Sequence, residues 1–395
     1  MNEVSDVIIV GGGLVGTACA IALAQQNQRV TLLDNKSAIM PDAACDQAWD
    51  SRIYTISPGN AVFLKSLGVW NTLDATRVCA IDQMQIWGDA DNASGMAPLQ
   101  FSAYDANVAN LGFVMESSLL QQALWSRMQE LDIEVIAGIS CSALQIDRRL
   151  ARIELADGRT FTAGLVIAAD GANSWLRAQV GIATQRHDYG QMGVVANFAT
   201  ELSHQNVARQ WFRDDGVLAW LPLPGQRISM VWSTAHAHAQ YLLGLAADDL
   251  QQEVAAAGVH VSGALQLVTP AAAFPLTMQT SASLVKPCVA LIGDAAHQIH
   301  PLAGQGVNLG FRDVITLAQT LNERRPQQDI GDVILLRDYE RARKSDMLVM
   351  RHLTHGLYSL FENQQPLVKN ARNWGLQLTN QQTLLKKHLI KRALV

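Results

Sequence analysis

The chain has 395 residues, 49% of them hydrophobic and 16% charged, with 30 Lys and Arg against 35 Asp and Glu and a formal net charge of -5. That length predicts roughly two to three domains; the apolar fraction excludes a disordered chain, and the slight acidity argues against a nucleic-acid partner. The five cysteines, Cys19, Cys45, Cys79, Cys141 and Cys288, include no CxxC pair, so neither a disulfide framework nor a thiolate zinc site is expected and a reducing cytoplasm fits.

Residues 4–34 read as a βαβ unit. Val7–Val10 is a short buried strand, Gly11-Gly12-Gly13 a turn, Leu14–Gln26 a helix rich in Ala, Leu and Ile, and Val30–Asp34 a second strand. The mixed polar stretch 36–56 reads as a loop. A helix is predicted over 117–130 and strands over 133–136, 143–147 and 151–155, after which the Asp157-Gly158 turn leads into a buried strand, Leu165–Ala169. Past residue 185 the pattern changes. Short runs at Gly193–Phe198, Ala208–Phe212, Val217–Leu221 and Ile228–Trp232, separated by Asp214-Asp215-Gly216 and Pro222–Gly225, predict an antiparallel sheet. A helix near Ala239–Ala257, a buried strand Val289–Ile292 and a mostly helical chain from 311 complete the reading. Three long uncharged stretches, Val7–Gln28, Ile228–Ala247 and Val254–Val285, have the length of membrane spans. They carry three consecutive glycines, His236 with His238, and Pro270 with Pro275, respectively, so none is expected to cross a bilayer. No secretory or lipidation signal is recognised.

Gly11, Gly13 and Gly16 form GxGxxG between a strand and a helix. Glycines there permit a tight turn and let backbone N–H groups at a helix N-terminus approach a pyrophosphate. Asp34 follows Gly16 by 18 residues, where a carboxylate can bind an adenosine ribose; its charge disfavours a 2′-phosphate, so FAD or NAD is expected rather than NADP. The cluster Gly304-x-Gly306 with Gly310 follows Pro301 rather than a strand and is no second fingerprint of this kind. Two further strand–turn motifs occur: Asp170-Gly171 with Arg177 after Leu165–Ala169, and Gly293-Asp294 after Val289–Ile292, continuing to Pro301, Gly304, Gln305, Gly306 and Asn308. Each sets a carboxylate and free N–H groups at the carboxyl end of a buried strand, the ligand edge of an open α/β sheet. Asp294 could take a hydroxyl, and Gly304–Gly306 could let a flat ring lie on the backbone.

These three motifs at these separations resemble the class A flavin aromatic hydroxylases of the para-hydroxybenzoate hydroxylase type. The stretches Arg52–Ser57, Leu67–Trp70, Ala168–Ser174 and above all Gly293–Gly310 resemble one branch, the ubiquinone-biosynthesis hydroxylases of the UbiH/UbiF/VisC type. The resemblance implies an α/β fold with a Rossmann-like FAD domain (1–185 and 286–335), an inserted antiparallel β-sheet substrate domain (186–285, with some strands near 80–115) and a helical C-terminal region (336–395). It implies that Gly11, Gly13, Gly16 and Asp34 hold the ADP half of FAD, that Arg52 approaches the flavin, and that Gly293, Asp294, Gly306 and Asn308 serve the cofactor. Pro301, Gly304, Gln305 and Gly306 would line the flavin ring as the catalytic set, and Asp170, Gly171 and Arg177 would serve FAD and NAD(P)H together. The family commonly has Asn or Gln where Ser117 stands here, and a hydroxyl cannot span the same distance.

The implied reaction is aromatic hydroxylation: NAD(P)H reduces FAD, O2 adds to give a flavin hydroperoxide, and an electron-rich phenol attacks its distal oxygen. The β-rich region would roof the site, with Trp211, Phe212, Trp220 and Trp232 either contributing to it or filling an ordinary core. Asp294, His297 and His300 have the residue types of an iron triad, but His300 precedes Pro301, which ends any helix there, and iron is not expected. His236-x-His238 lacks metal partners. After Glu362 the chain has no acid but carries Lys369, Arg372, Lys386, Lys387, Lys391 and Arg392; this basic amphipathic tail either lies on an anionic membrane or partner or packs on its own protein. Three functions are compatible with these readings: hydroxylation of a polyprenyl phenol or quinol in ubiquinone biosynthesis, on the inner face of the membrane or within a biosynthetic complex; hydroxylation of a small soluble aromatic; or a non-catalytic flavin-binding subunit.

Overall fold

The computed structural model describes residues 4–36, 49–88, 98–298 and 306–345. Strands β1 (Val4–Val10) and β2 (Val30–Asp34) flank helix α1 (Leu14–Ala24), which is apolar on every side and accordingly buried almost throughout. The helix stops two residues short of the predicted end, before Asn27 turns left-handed with φ 61°. The expected loop 36–56 contains strand β3 (Ile53–Ile56); its β-branched residues suit a pleated surface. Helix α2 (Pro58–Ser66) starts where Ser57 caps Asn60 N–H and Pro58 takes the first turn. Strands β4 (Cys79–Ile81), β5 (Gln83–Trp87), β6 (Leu99–Ser102) and β7 (Gly112–Glu116) come next. At three to five residues they are too short for a hydrophobic period to reveal.

Helix α3 (Ser117–Glu130) and strands β8 (Glu134–Ala137), β9 (Cys141–Asp147), β10 (Leu150–Leu155) and β11 (Thr160–Ala168) lead to the short helix α4 (Trp175–Gln179). Then come β12 (Thr184–Thr200), β13 (Val207–Arg213), β14 (Gly216–Leu223) and β15 (Arg227–Ala235). The single helix predicted near Ala239–Ala257 is two, α5 (His236–Gly244) and α6 (Ala247–Ala257), divided because Leu245 is extended with ψ 146°. Strands β16 (Leu265–Leu267), β17 (Ala272–Ser281), β18 (Val285–Lys286) and β19 (Val289–Leu291), a 3-10 turn at Gly293–Ala295, β20 (His297–Gln298), α7 (Gly306–Asn322) and a helix over 333–345 complete the described chain.

The first sheet runs β18-β19-β11-β1-β2-β8, with β10 antiparallel on β11 and β9 antiparallel on β10. Its central pairs are parallel: Val10 lies beside Ala168, and Ala168 beside Leu291. The carboxyl ends of β1, β11 and β19 are therefore flush, and all three motif loops leave the sheet along one edge. The second sheet runs β20-β17-β12-β15-β14-β13-β5-β6, with β16 on β12, and a small third sheet is ordered β3-β7-β4. One face of the second sheet packs Val194, Leu218, Trp220, Met230 and Trp232 beneath α5 and α6. The other meets the third sheet, where Ala208 and Leu223 pack with Cys79, Ile81 and Val114.

Candidate active site

The phosphate loop is held by its own side chains. Gly11 sits at φ +111°, and a Cβ there would collide with the Ala169 carbonyl; a Cβ on Gly16 would collide with the Gly11 carbonyl. A Cβ on Gly13 would meet nothing within 4 Å. Thr17 Oγ1 donates to the carbonyls of Gly12 (3.0 Å) and Gly13 (2.8 Å), and Gln121 Nε2 donates to Gly12 O at 3.0 Å. With these carbonyls tied down, the first N–H groups of α1, which lack partners within the helix, are the groups left for an anion. Asp34 Oδ2 accepts Gly12 N–H at 2.6 Å and Oδ1 accepts Lys36 N–H at 2.8 Å, so the expected ribose carboxylate also shapes the loop. A carboxylate keeps acceptor capacity beyond these two bonds.

On the second loop, Asp170 Oδ2 accepts Leu176 N–H at 3.1 Å, while Oδ1 is buried without a partner among the described residues. Burial pushes its carboxyl up, against the lowering hydrogen bonds from Ser174 and Leu176. Such an oxygen awaits a hydroxyl or N–H donor. A Cβ on the neighbouring Gly171 would meet nothing within 4 Å. On the third loop, Gly293 is left-handed at φ +58° and Asp294 lies within the 3-10 turn rather than before a long helix. Asp294 is exposed. Desolvation by the surrounding protein raises its pKa, while the charges of His297 and Arg52 lower it, so Arg52 lies near Asp294. The Arg52 guanidinium lies 5.4 Å from the Tyr54 ring centre, and Arg52 O accepts Ser117 N–H at 2.9 Å. Gly306 opens α7, and a Cβ on it would meet nothing within 4 Å among the described residues. Pro301, Gly304, Gln305 and His300 lie outside the described residues.

Two of the residues expected at the cofactor also brace the loops around it. Arg177 is buried; its guanidinium donates to Ala295 O and Ala172 O, both at 2.8 Å, and so braces the second loop against the third. Asn308 Nδ2 donates to Thr55 O at 2.7 Å and Oδ1 accepts Ser57 N–H (2.9 Å) and Asn60 Nδ2 (2.8 Å), pinning α7 to β3 and α2. Sequence reasoning missed Thr17, which stands four residues after Gly13, and Gln121, which no local pattern links to the loop. It also missed the mount beneath Arg52. Asp50 N–H donates to Glu116 Oε1 (2.7 Å), Glu116 is paired with Arg77 (2.7 Å), and Asn197 Nδ2 donates to Asp50 O (2.8 Å).

Of the two readings of the aromatic residues, the ordinary core holds for the three tryptophans. Trp211, Trp220 and Trp232 belong to the face under α5 and α6; only Phe212, opposite Val217, shares the other face. Strand alternation decides this, since neighbours in sequence point to opposite faces. The face toward the third sheet carries a cross-strand row of half-buried Val195, Val231 and Ala219. It is bordered by Asn197, Ser229 and Leu221 on one side and by Gly193, Ser233 and Val217 on the other. None of these nine residues is charged.

The residues fit FAD: a glycine-lined anion site, an acid at the end of β2, an unpartnered buried carboxylate oxygen and an accessible acid converge on one sheet edge. A largely parallel sheet with such an edge, joined to a second, mainly antiparallel sheet, is a frame suited to an FAD-dependent enzyme. Two solved structures share the fold: p-nitrophenol 4-monooxygenase PnpA from Pseudomonas putida DLL-E4 (TM-score 0.80, 16% identity, 99% of this chain and 98% of that one) and PqsL from Pseudomonas aeruginosa (TM-score 0.78, 20% identity, 95% and 100%). The FAD binding domain family matches residues 4–347. The chain is 35% identical over 398 residues to 3-demethoxyubiquinol 3-hydroxylase of Escherichia coli (strain K12), covering 100% of this chain and 99% of the relative. It is 34% identical to ubiquinone hydroxylase UbiL of Rhodospirillum rubrum (100% and 90%) and 31% identical to human mitochondrial ubiquinone biosynthesis monooxygenase COQ6 (98% and 92%). The chain belongs to the FAD binding domain family, in its branch of ubiquinone-biosynthesis hydroxylases.

Proposed function

We propose that this chain hydroxylates the aromatic ring of a polyprenyl phenol or quinol on the way to ubiquinone. The full-length similarity to ubiquinone hydroxylases carries the reading, and the uncharged row Val195–Val231–Ala219 suits an apolar substrate. Bound FAD, reduced by NAD(P)H, would activate O2, one atom of which enters the ring while the other leaves as water. The protein's part is to bind, orient and exclude water. Gly11, Gly13, Gly16 and Asp34 would hold the ADP half; Asp170 and Asp294 would take hydroxyl or N–H donors; Arg52 and the N-terminus of α7 would place positive potential beside the ring system, where negative charge develops. Half-buried aliphatic side chains on the second sheet would keep water from the reacting oxygen.

Quinone lipid analysis of a knockout tests this. The expected result is accumulation of a prenylated phenol or quinol lacking one hydroxyl, restored by the parent chain and not by Asp294→Ala. Unchanged quinone, or a small unprenylated aromatic accumulating instead, refutes the substrate assignment; full restoration by Asp294→Ala would leave a non-catalytic subunit.

No helix among the described residues is long and apolar enough to cross a membrane. Substrate delivery would then fall to the acid-free basic tail, through peripheral contact with anionic lipid. Deleting 381–395 is expected to weaken co-sedimentation with anionic phospholipid vesicles, and unchanged co-sedimentation rejects that role.

A further inference from the structure

Beneath the Gly293–Ala295 turn lies a buried charged cluster that the proposed reaction does not use. Asp313, in α7, is fully buried; His297 is 4% exposed and Arg343, in the helix over 333–345, 1%. Asp313 Oδ2 accepts Gly293 N–H at 2.8 Å and His297 Nε2 at 2.7 Å, and Oδ1 accepts Arg343 Nε at 2.7 Å. An ionised carboxylate only accepts, so His297 presents Nε2–H to it. The turn's carbonyl end is held separately, by Arg177 on Ala295 O. The same C-terminal helix grips the neighbouring strands twice more. Tyr339 Oη donates to Leu291 O at 2.8 Å, and Glu340 Oε1 accepts Ser283 Oγ at 2.7 Å and Leu284 N–H at 2.8 Å.

Burying three ionisable groups brings little stability, because desolvation offsets the attraction and an apolar trio of similar volume does as well or better. What the cluster supplies is geometry: three donors converge on one carboxylate, and the bond from Gly293 N–H fixes the left-handed turn that carries the exposed Asp294. We propose that Asp313, held by His297 and Arg343, is the positioning residue that sets this turn for FAD, which makes the helix over 333–345 part of the flavin site. The inference rests on the assignment of Asp294 to the cofactor.

The test compares FAD dissociation constants, read from flavin fluorescence on dilution of the holoenzyme, for His297→Leu and His297→Gln. Glutamine keeps a donor within reach of Asp313; leucine keeps bulk alone. Outer partners of a ligand-holding group typically change affinity by about 10–100-fold, so His297→Leu is expected to raise the constant by about tenfold or more and His297→Gln by less than about threefold. Equal constants for the two variants, or a His297→Leu value near the parent's, overturn the proposal. A lowered melting temperature with unchanged FAD affinity overturns it as well, since that is the signature of a merely structural cluster. If His297→Leu yields no folded protein, Arg343→Lys against Arg343→Met decides: lysine near the parent with methionine weaker supports it, and equal values reject it. Asp294→Ala separates the two readings. Unchanged affinity there overturns both, whereas a loss there without one in the cluster variants overturns the positioning role alone.

Discussion

The phosphate loop allows one methyl group to be placed in two ways with opposite consequences. At Gly16, a Cβ overlaps the Gly11 carbonyl and lies 3.0 Å from Ala169 Cβ. Both neighbours are fixed, one by backbone and the other by the parallel pairing of β1 and β11, so α1 must move outward by roughly 1 Å in a close-packed interior. Overpacking of that kind costs about 1–3 kcal/mol, read as a fall of several degrees in melting temperature. At Gly13, the backbone is extended (φ -72°, ψ 179°) and a Cβ meets no atom of the described residues within 4 Å. Gly13→Ala should leave the flavin-free protein as stable as the parent, or about 0.4–1 kcal/mol more so through the unfolded chain. Its methyl would stand where the pyrophosphate must approach, and tenfold weaker FAD binding is the expected scale for a loss of about 1.4 kcal/mol. Thermal melting of the flavin-free variants and flavin-fluorescence titration separate the two effects. Gly13→Ala binding FAD within about twofold of the parent, or Gly16→Ala melting with it, would refute the geometry.

Trp232→Ala should destabilise the protein by about 3–5 kcal/mol, since the residue is fully buried under α5 and α6; denaturant unfolding measures this, and the position of the new hydroxyl should not change. Ala219→Phe should fill the half-buried row, abolishing turnover of a prenylated substrate while the purified protein keeps its flavin absorbance; undiminished turnover removes this face from the substrate site. Burial pushes the Asp313 carboxyl up, but His297, Arg343 and Gly293 N–H together hold it below its ordinary value. Its stabilisation is then complete above the unfolded value of about 3.9 and is lost as pH falls through the folded one. The melting-temperature gap between the parent and Asp313→Asn should hold from neutral pH down and close only below about pH 4; closure at higher pH would assign the titration elsewhere.

The βαβ start and α3 could be read from the chain because their signals are local. GxGxxG lies within six residues, β2 has the predicted bounds, and α3 starts and ends where expected. The short strands β4 to β7 gave no such signal, since each takes its identity from partners far along the chain. The choice between roof and core for the aromatic residues stayed open for a related reason. Four aromatic residues mark a sheet, but which face they occupy depends on what covers it, and α5 and α6 cover the tryptophans. The roles of Arg177 and Asn308 were obscured because a motif position states a residue type, while its hydrogen-bond partners, Ala295 and Thr55, are fixed only by the fold.

The flush ends of β1, β11 and β19 make the cofactor a judge of completeness. The three loops come from the start, the middle and the far end of the described chain, and they meet only when the first sheet has closed in register. A one-residue slip of β19 would draw its turn back by about 3.3 Å and reverse its inward and outward faces. A truncated or misregistered chain would therefore present only part of the site, and FAD would favour the finished fold by mass action. Flavin retention by the purified protein thus reports the ordering of three distant segments at once, which no measure of secondary-structure content can do.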